Sequence, residues 1–279
     1  MSVHPGAANV RRDHFVKLIG NWSNLGAPLR PSPSDNTLVQ REGANLQPGG
    51  RVVVLGLTPE TVNGTWPPGI ELIAIDHSPA MVAALWPQPG APAYASVLLA
   101  NWLAMPLANS VADLVCADGS HTQVTFPYGF GILAGEIHRI LRPAGRLLAR
   151  AFIRPDVAEP MDQIAADLGA GRVGSVHALK LRLLAALHGR NGHGSCLGDA
   201  WTAWKSMPLP PQAHKNAPGW TRGELAGIEG YRGLETRYYL PTLAELRTAH
   251  AGHFDELANH IGAYELAERC PTLVWQRRS

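Results

Sequence analysis

The side chains best placed for chemistry sit where apolar runs end. Asp76 closes the run Ile70-Glu71-Leu72-Ile73-Ala74-Ile75. Asp118 closes Ala112-Asp113-Leu114-Val115-Cys116-Ala117 and is followed by Gly119, Ser120 and His121. A third run, Arg51-Val52-Val53-Val54-Leu55, ends in Gly56-Leu57-Thr58-Pro59-Glu60. A carboxylate at a strand's C-terminal end, twenty residues after Gly56, can accept both hydroxyls of a ribose. Such charge-assisted bonds are worth about 1.5–3 kcal/mol each. The same Asp76 could instead cap a helix starting at Ser78-Pro79. Asp118 and His121 are candidates for a catalytic base. Asp118-Gly119 also reads as a simple turn, and His121 as a surface side chain.

Other clusters carry less. His250-x-x-His253 and His188-x-x-x-x-His193 have the look of metal ligands, but no third ligand is close in sequence, so no metal is expected. Glu136 and His138 fall on a helix that should pack on a sheet. Tyr231, Arg232, Tyr238 and Tyr239 could line a pocket or simply pack. A nucleophile elbow and a Gly-Lys-Ser/Thr phosphate loop are both missing from the sequence.

The elements that must position these residues are strands and helices in alternation. Val52–Leu55 and Ile70–Ile75 are apolar runs typical of strands buried on both faces of a parallel sheet. Thr58-Pro59-Glu60 is a helix start, with a capping hydroxyl, Pro at N1 and an acid in the first turn. A short helix follows from Ser78-Pro79 to Trp86, and Pro89–Pro92 is a loop. Tyr94–Ala100 and Ala112–Ala117 are the third and fourth strands. A helix from Tyr128 to Leu141 carries Ile132, Leu133, Ile137, Ile140 and Leu141 at helical spacing. Arg142-Pro143-Ala144-Gly145 ends it and turns into a fifth strand, Arg146–Ile153. The expected fold is therefore α/β, a doubly wound and mostly parallel sheet.

Four segments are expected. Residues 1–50 form a leader that packs on the fold or covers a cofactor, with Trp22 or Arg30 facing inward. Within it Asp13–Trp22 could be a short helix, while the prolines of Leu25–Asp35 forbid one. Residues 51–155 form the cofactor-binding core. Residues 156–235 form a helical insertion after the fifth strand, with helices at Met161–Leu168, Val176–His188 and Leu197–Trp204. On the second of these Lys180 and Arg182 lie outside the apolar face. Gly189–Gly198 and Ser206–Gly219 read as loops. Residues 236–279 return to the sheet, with a capping box at Thr242-x-x-Glu245 and strands at His253–Ile261 and Cys270–Gln276.

Composition narrows the partners. Among 279 residues, 46% are hydrophobic and 16% charged, enough for a real core, and the net charge is +2. Neither a basic run nor aromatic–basic interleaving is present, which argues against nucleic acid. Met1–Asp13 lacks an apolar signal core, and no window approaches a membrane span. Cys116, Cys196 and Cys270 are too few and too scattered for a disulfide framework, which suits a reducing compartment. A cytoplasmic protein without a membrane or nucleic-acid partner, monomeric or homodimeric, is expected.

In order and spacing, the chain from Val52 to about Phe152 resembles the class I S-adenosylmethionine-dependent methyltransferases. Leu72-Ile-Ala-Ile-Asp76-His-Ser-Pro-Ala-Met81 is similar to that family's second-strand motif. Asn101-Trp-Leu-Ala-Met-Pro106-Leu-Ala-Asn-Ser-Val-Ala-Asp113-Leu-Val resembles its Asp-Ala-x-x-Leu-Pro stretch, and Glu136-Ile-His-Arg-Ile-Leu141-Arg-Pro143-Ala-Gly145 the helix and turn after it. The resemblance implies seven strands in the order 3-2-1-4-5-7-6 with strand 7 antiparallel. It implies S-adenosyl-L-methionine as cofactor and methyl transfer to a small-molecule acceptor. Cofactor contacts would then come from Gly56, Thr58, Glu60, Asp76, His77, Met81, Asn101, Trp102 and Asp118.

The first loop departs from the pattern acid-x-Gly-x-Gly-x-Gly. Val54 stands where the acid should be, and Thr58 and Glu60 replace the second and third glycines. Thr58 and the helix N-terminus could still donate to the methionine carboxylate, and Glu60 could accept from its ammonium or merely complement the helix dipole. Asn101 replaces an acid but keeps a carbonyl for the adenine amino group. Trp102 could lie against the adenine or pack in the core. Two other functions remain open: a binding or regulatory protein that kept this fold, and an NAD-dependent oxidoreductase, which would predict a Gly-x-Gly-x-x-Gly directly after the first strand, where Gly56-Leu57-Thr58-Pro59-Glu60 stands instead.

Overall fold

The computed structural model describes residues 19–20, 22–86, 94–188, 193–209 and 220–279. Most of the expected Asp13–Trp22 helix lies outside these residues, as do the whole Pro89–Pro92 loop, residues 189–192 and most of Ser206–Gly219.

Nine strands are present among the described residues: β1 (Arg51–Leu55), β2 (Glu71–Asp76), β3 (Ala95–Leu99), β4 (Ala112–Asp118), β5 (Leu141–Arg150), β6 (Ser195–Cys196), β7 (Arg237–Tyr238), β8 (Phe254–His260) and β9 (Thr272–Arg277). Seven of them form one sheet in the order β3-β2-β1-β4-β5-β9-β8. The first five run parallel, and β9 is antiparallel to both β5 and β8. This is the expected 3-2-1-4-5-7-6 order with an antiparallel seventh strand.

The apolar runs explain the sheet. Val53, Leu55, Ile73, Ile75, Val115, Ala117, Leu147 and Ala149 point to one face, where they pack on helices Tyr128–Ile140 and Leu243–His250. Val52, Val54, Leu72, Ala74, Leu114, Cys116 and Leu148 fill the other, against helices Pro33–Ala44, Pro59–Val62 and Pro79–Leu85. A strand covered on both sides has no polar face to alternate with, hence the unbroken runs. β5 starts earlier than expected. Leu141 already pairs with Ala112, and the register then shifts, with Ala144 in a left-handed conformation (φ 63°).

A third apolar cluster is separate from the sheet. It gathers helices Met161–Gly169, Val176–Leu187, Leu197–Lys205 and Arg222–Glu229 around Leu179, Leu183, Trp204 and Ile228. The helix at 176–187 does not have the polar outer face read from its pattern. Lys180 and Arg182 are both buried, because other helices pack on every side of it. Arg182 is neutralised there by Glu159 and Asp167. The expected loop around 189–198 instead contains β6, which pairs antiparallel with β7. Among the described residues no helix is long and apolar enough to cross a membrane.

Candidate functional site

Because β1, β2 and β4 run parallel, Leu55, Asp76 and Asp118 reach the same edge of the sheet. A cavity of about 120 Å³ opens there. Gly56, Leu57 and Thr58 of the turn after β1 line it, with Asp76, His77, Met81 and Trp102 beside β2. The end of β4 adds Asp118, Gly119, Ser120, Thr122 and Gln123. Its lining is completed from outside these strands by Trp22, Leu25, Leu29, Phe152, Lys180, Tyr231 and Tyr238.

Asp76 is 5% exposed. Its Oδ1 accepts the Ser78 backbone N–H at 2.8 Å. Burial pushes its carboxyl up to about 6, against the pull of the Ser78 and His77 backbone N–H groups. The helix cap falls to Ser78, whose hydroxyl accepts the Met81 N–H at 3.3 Å. Asp76 therefore faces the cavity as a desolvated carboxylate with, among the described residues, no cationic partner beyond the His77 ring at 3.9 Å. Trp102 is buried and also lines the cavity. Its Nε1–H donates to the Ile75 carbonyl at 2.6 Å, its ring meets His77 edge-on at 5.5 Å, and one side lines the cavity. Gly56 has φ 106°, a conformation that suits glycine, and only Trp102 would lie near an added Cβ, at 3.9 Å.

Asp118 is in a different state. Arg150 stands opposite it on β5, and its Nε–H donates to Asp118 Oδ1 at 2.6 Å. Burial would lower the guanidinium pKa, but the Asp118 charge outweighs it and holds it raised. Thr58 Oγ1 lies 3.5 Å from the other carboxylate oxygen. Asp118 therefore lines the cavity with one oxygen engaged by a buried cation rather than as a free carboxylate.

Three candidates do not reach the cavity. His121 is wholly buried, neither a surface side chain nor a base with access to a substrate. Its Nε2 lies 3.2 Å from His250 Nε2, and burial followed by that neighbour holds its pKa well below the usual histidine value. The short helix after Gly119 turns its ring inward against Phe130. Glu60 is taken by Arg30, which reaches across from the leader and ion-pairs with it. Asn101 is exposed, and its Oδ1 accepts its own chain's Leu103 N–H at 3.0 Å, a local turn that occupies the carbonyl.

The remaining clusters are structural. His250 stacks on Trp275 at 4.5 Å and bonds to the Leu246 carbonyl, while His253 packs on His138. His188 accepts from Arg154. Among the described residues no three His, Cys, Asp or Glu side chains are placed to share a metal ion. Of the tyrosine group, Tyr231 and Tyr238 line the cavity, whereas Arg232 lies over Trp201.

Sequence reasoning missed Arg150 and Lys180. Arg150 had a signal: it is a lone charge within the apolar stretch Leu147-Leu148-Ala149-Arg150-Ala151-Phe152. Lys180 had none, since its helical pattern placed it outside.

No family model matches the sequence, and no curated protein matches it. Solved structures match its shape. The N-methyltransferase NodS from Bradyrhizobium japonicum, in complex with S-adenosyl-L-homocysteine, has TM-score 0.54 at 11% identity, over 96% of this chain and 100% of that one. A Burkholderia thailandensis 1,6-didemethyltoxoflavin-N1-methyltransferase has TM-score 0.53 at 12% identity, over 100% and 92%. A Rhodobacter sphaeroides structure provisionally named a Zn-dependent alcohol dehydrogenase has TM-score 0.57 at 14% identity, over 97% and 98%. At such identities the likeness is one of architecture. With its strand order and antiparallel β9, the chain has the class I methyltransferase fold.

Proposed function

We propose that the protein is an S-adenosylmethionine-dependent methyltransferase acting on a small-molecule acceptor. The carrying observation is Asp76: a buried carboxylate at the tip of β2, open to the cavity, with one oxygen held by the Ser78 N–H. The nucleoside half of S-adenosylmethionine fits these residues. Asp76 can take the ribose diol, Met81 and Trp102 offer apolar walls for the base, and Gly56 leaves room beside it. For the amino-acid half, Thr58 and Asp118 are the polar groups at hand, since Glu60 is paired with Arg30.

The cofactor would supply an electrophilic methyl group. The chain's part is to bind, orient and keep water out. Alignment of two reactants alone can be worth an effective molarity of about 10⁵–10⁸ M, so no base is required for a good nucleophile. In this reading the segment 156–235 covers the site and sets the acceptor, a role supported by Lys180 and Tyr231 reaching the cavity from it.

Calorimetric titration with S-adenosylmethionine, S-adenosylhomocysteine and NAD tests the reading. Uptake of the first two alone is expected, and uptake of NAD alone would overturn it in favour of an oxidoreductase. Release of S-adenosylhomocysteine in a screen of small metabolites separates an enzyme from a binding protein of the same fold.

A further inference from the structure

Among the described residues, the part of the cavity that does not come from the sheet holds one cation. Lys180 is 3% exposed, on helix Val176–Leu187, and lines the cavity. Among the described residues no carboxylate forms an ion pair with it. Its Nζ lies 4.5 Å from the centroid of the Tyr231 ring, and the flank of Gly227 closes in on the same atom. A ring face offsets part of the cost of burying an ammonium, but less than an anion does. Of the two carboxylates lining the cavity, Asp118 is paired with Arg150 and Asp76 stands at the tip of β2; neither forms an ion pair with Lys180. His177, one turn away, is held neutral by burial and by Lys180 itself. The same cavity is also lined by Leu25, Leu29, Phe152, Tyr231 and Tyr238, which are apolar or aromatic. Burial keeps both tyrosines protonated.

We propose that the methyl acceptor is an acid with an apolar body, whose carboxylate is anchored by Lys180. The proposal rests on the methyltransferase reading of the site. Ammonium and carboxylate together are neutral, which removes the cost of leaving either charge alone in the cavity. Burial pushes the Lys180 ammonium down to about 8, so it is still charged at neutral pH, and a bound anion would raise it again. The anchor lies with residues of the helical segment rather than with the strand tips, which places it on the acceptor's side.

The test uses benzoate and its neutral analogue benzamide, titrated into the full-length protein saturated with S-adenosylhomocysteine. Benzoate should bind about ten-fold or more tighter than benzamide. Lys180→Met keeps the length of the side chain and should abolish that preference. It should leave S-adenosylhomocysteine affinity within about two-fold, and melt no lower than the parent, since a lone buried charge is replaced by an apolar group. Equal binding of the two probes overturns the proposal, as does an unchanged preference in Lys180→Met. Failure of benzoate to saturate a protein that does take up S-adenosylhomocysteine also overturns it. Weakened S-adenosylhomocysteine binding in Lys180→Met would put the cofactor's own carboxylate on Lys180, again overturning it. Should the parent protein take up no S-adenosylhomocysteine, the methyltransferase reading falls by itself. The two-probe comparison on the unliganded protein then still decides whether Lys180 holds a carboxylate.

Discussion

The tips of β2 and β4 invite comparison. Each ends in an aspartate, each aspartate follows an apolar run, and both line one cavity. Yet Asp118 is neutralised by a buried arginine across the sheet, while among the described residues Asp76 has only backbone donors and a distant imidazole. The first is part of the framework; the second faces the cavity, where the proposed function gives it the ribose. A carboxylate at a strand end becomes a binding group only when the neighbouring strand withholds a counter-charge, and here that neighbour is decided by one residue of β5.

Removing each acid in turn is the sharpest way to break this contrast. Asp118→Ala strands the Arg150 guanidinium in the interior and should cost about 3–5 kcal/mol of stability, read by chemical denaturation. Adding Arg150→Met to it should recover most of that loss. A mild effect of Asp118→Ala would mean that the pair is not framework.

Acid should expose a second difference. His177 and His250 are held down to about 4 by burial, below the ordinary value of about 6.5. A depressed histidine leaves the unfolded chain binding more protons, so stability falls as pH drops from about 6.5 toward about 4. Asp76 has the opposite sign. Its carboxyl is raised to about 6 from 3.8, so the folded protein binds the extra proton and this one group gains stability over that interval. Denaturation midpoints across pH should therefore fall on acidification, less steeply than the histidines alone would dictate.

Asp76→Asn should separate binding from stability. S-adenosylhomocysteine affinity should drop about ten-fold or more, by calorimetry. The unliganded protein should gain about 1–2 kcal/mol at neutral pH, because a costly buried charge is gone. That gain should vanish as pH falls from about 6 to 3.8, where the parent aspartate is protonated too. A destabilised Asp76→Asn would erase the distinction between the two tips. Gly56→Ala should cost about 1–2 kcal/mol through backbone strain at positive φ, with no steric clash to add. The smallest effect is expected from His121→Phe, which should leave S-adenosylhomocysteine binding within about two-fold. A larger change would return His121 to the site.

The sheet was readable because strands covered on both faces must be apolar throughout, and the alternation of strand and helix permits few orders. Asp76, Met81 and Trp102 were readable by position in the strand–turn–helix unit. The rest depended on partners far away in sequence. Glu60 is claimed by Arg30 of the leader, Asp118 by Arg150, and His121 by His250. Apart from the lone charge of Arg150 in its apolar stretch, these pairings leave no local trace, since long-range contacts are fixed by how layers stack. Lys180 was misjudged for a related reason. Amphipathic spacing assumes that a helix has one dry side, and this one is enclosed all round.

The two-residue ladder between β6 and β7 reaches further than its size. It ties Ser195 to Tyr238, and Tyr238 is a wall of the chamber. The chain between those points is thus a tethered hoop, pinned where it leaves and where it comes home. Lengthening such a hoop costs entropy only logarithmically. Insertions there would leave the pinned tyrosine and the seven-stranded platform where they are, which makes the hoop an easy place to graft new selectivity.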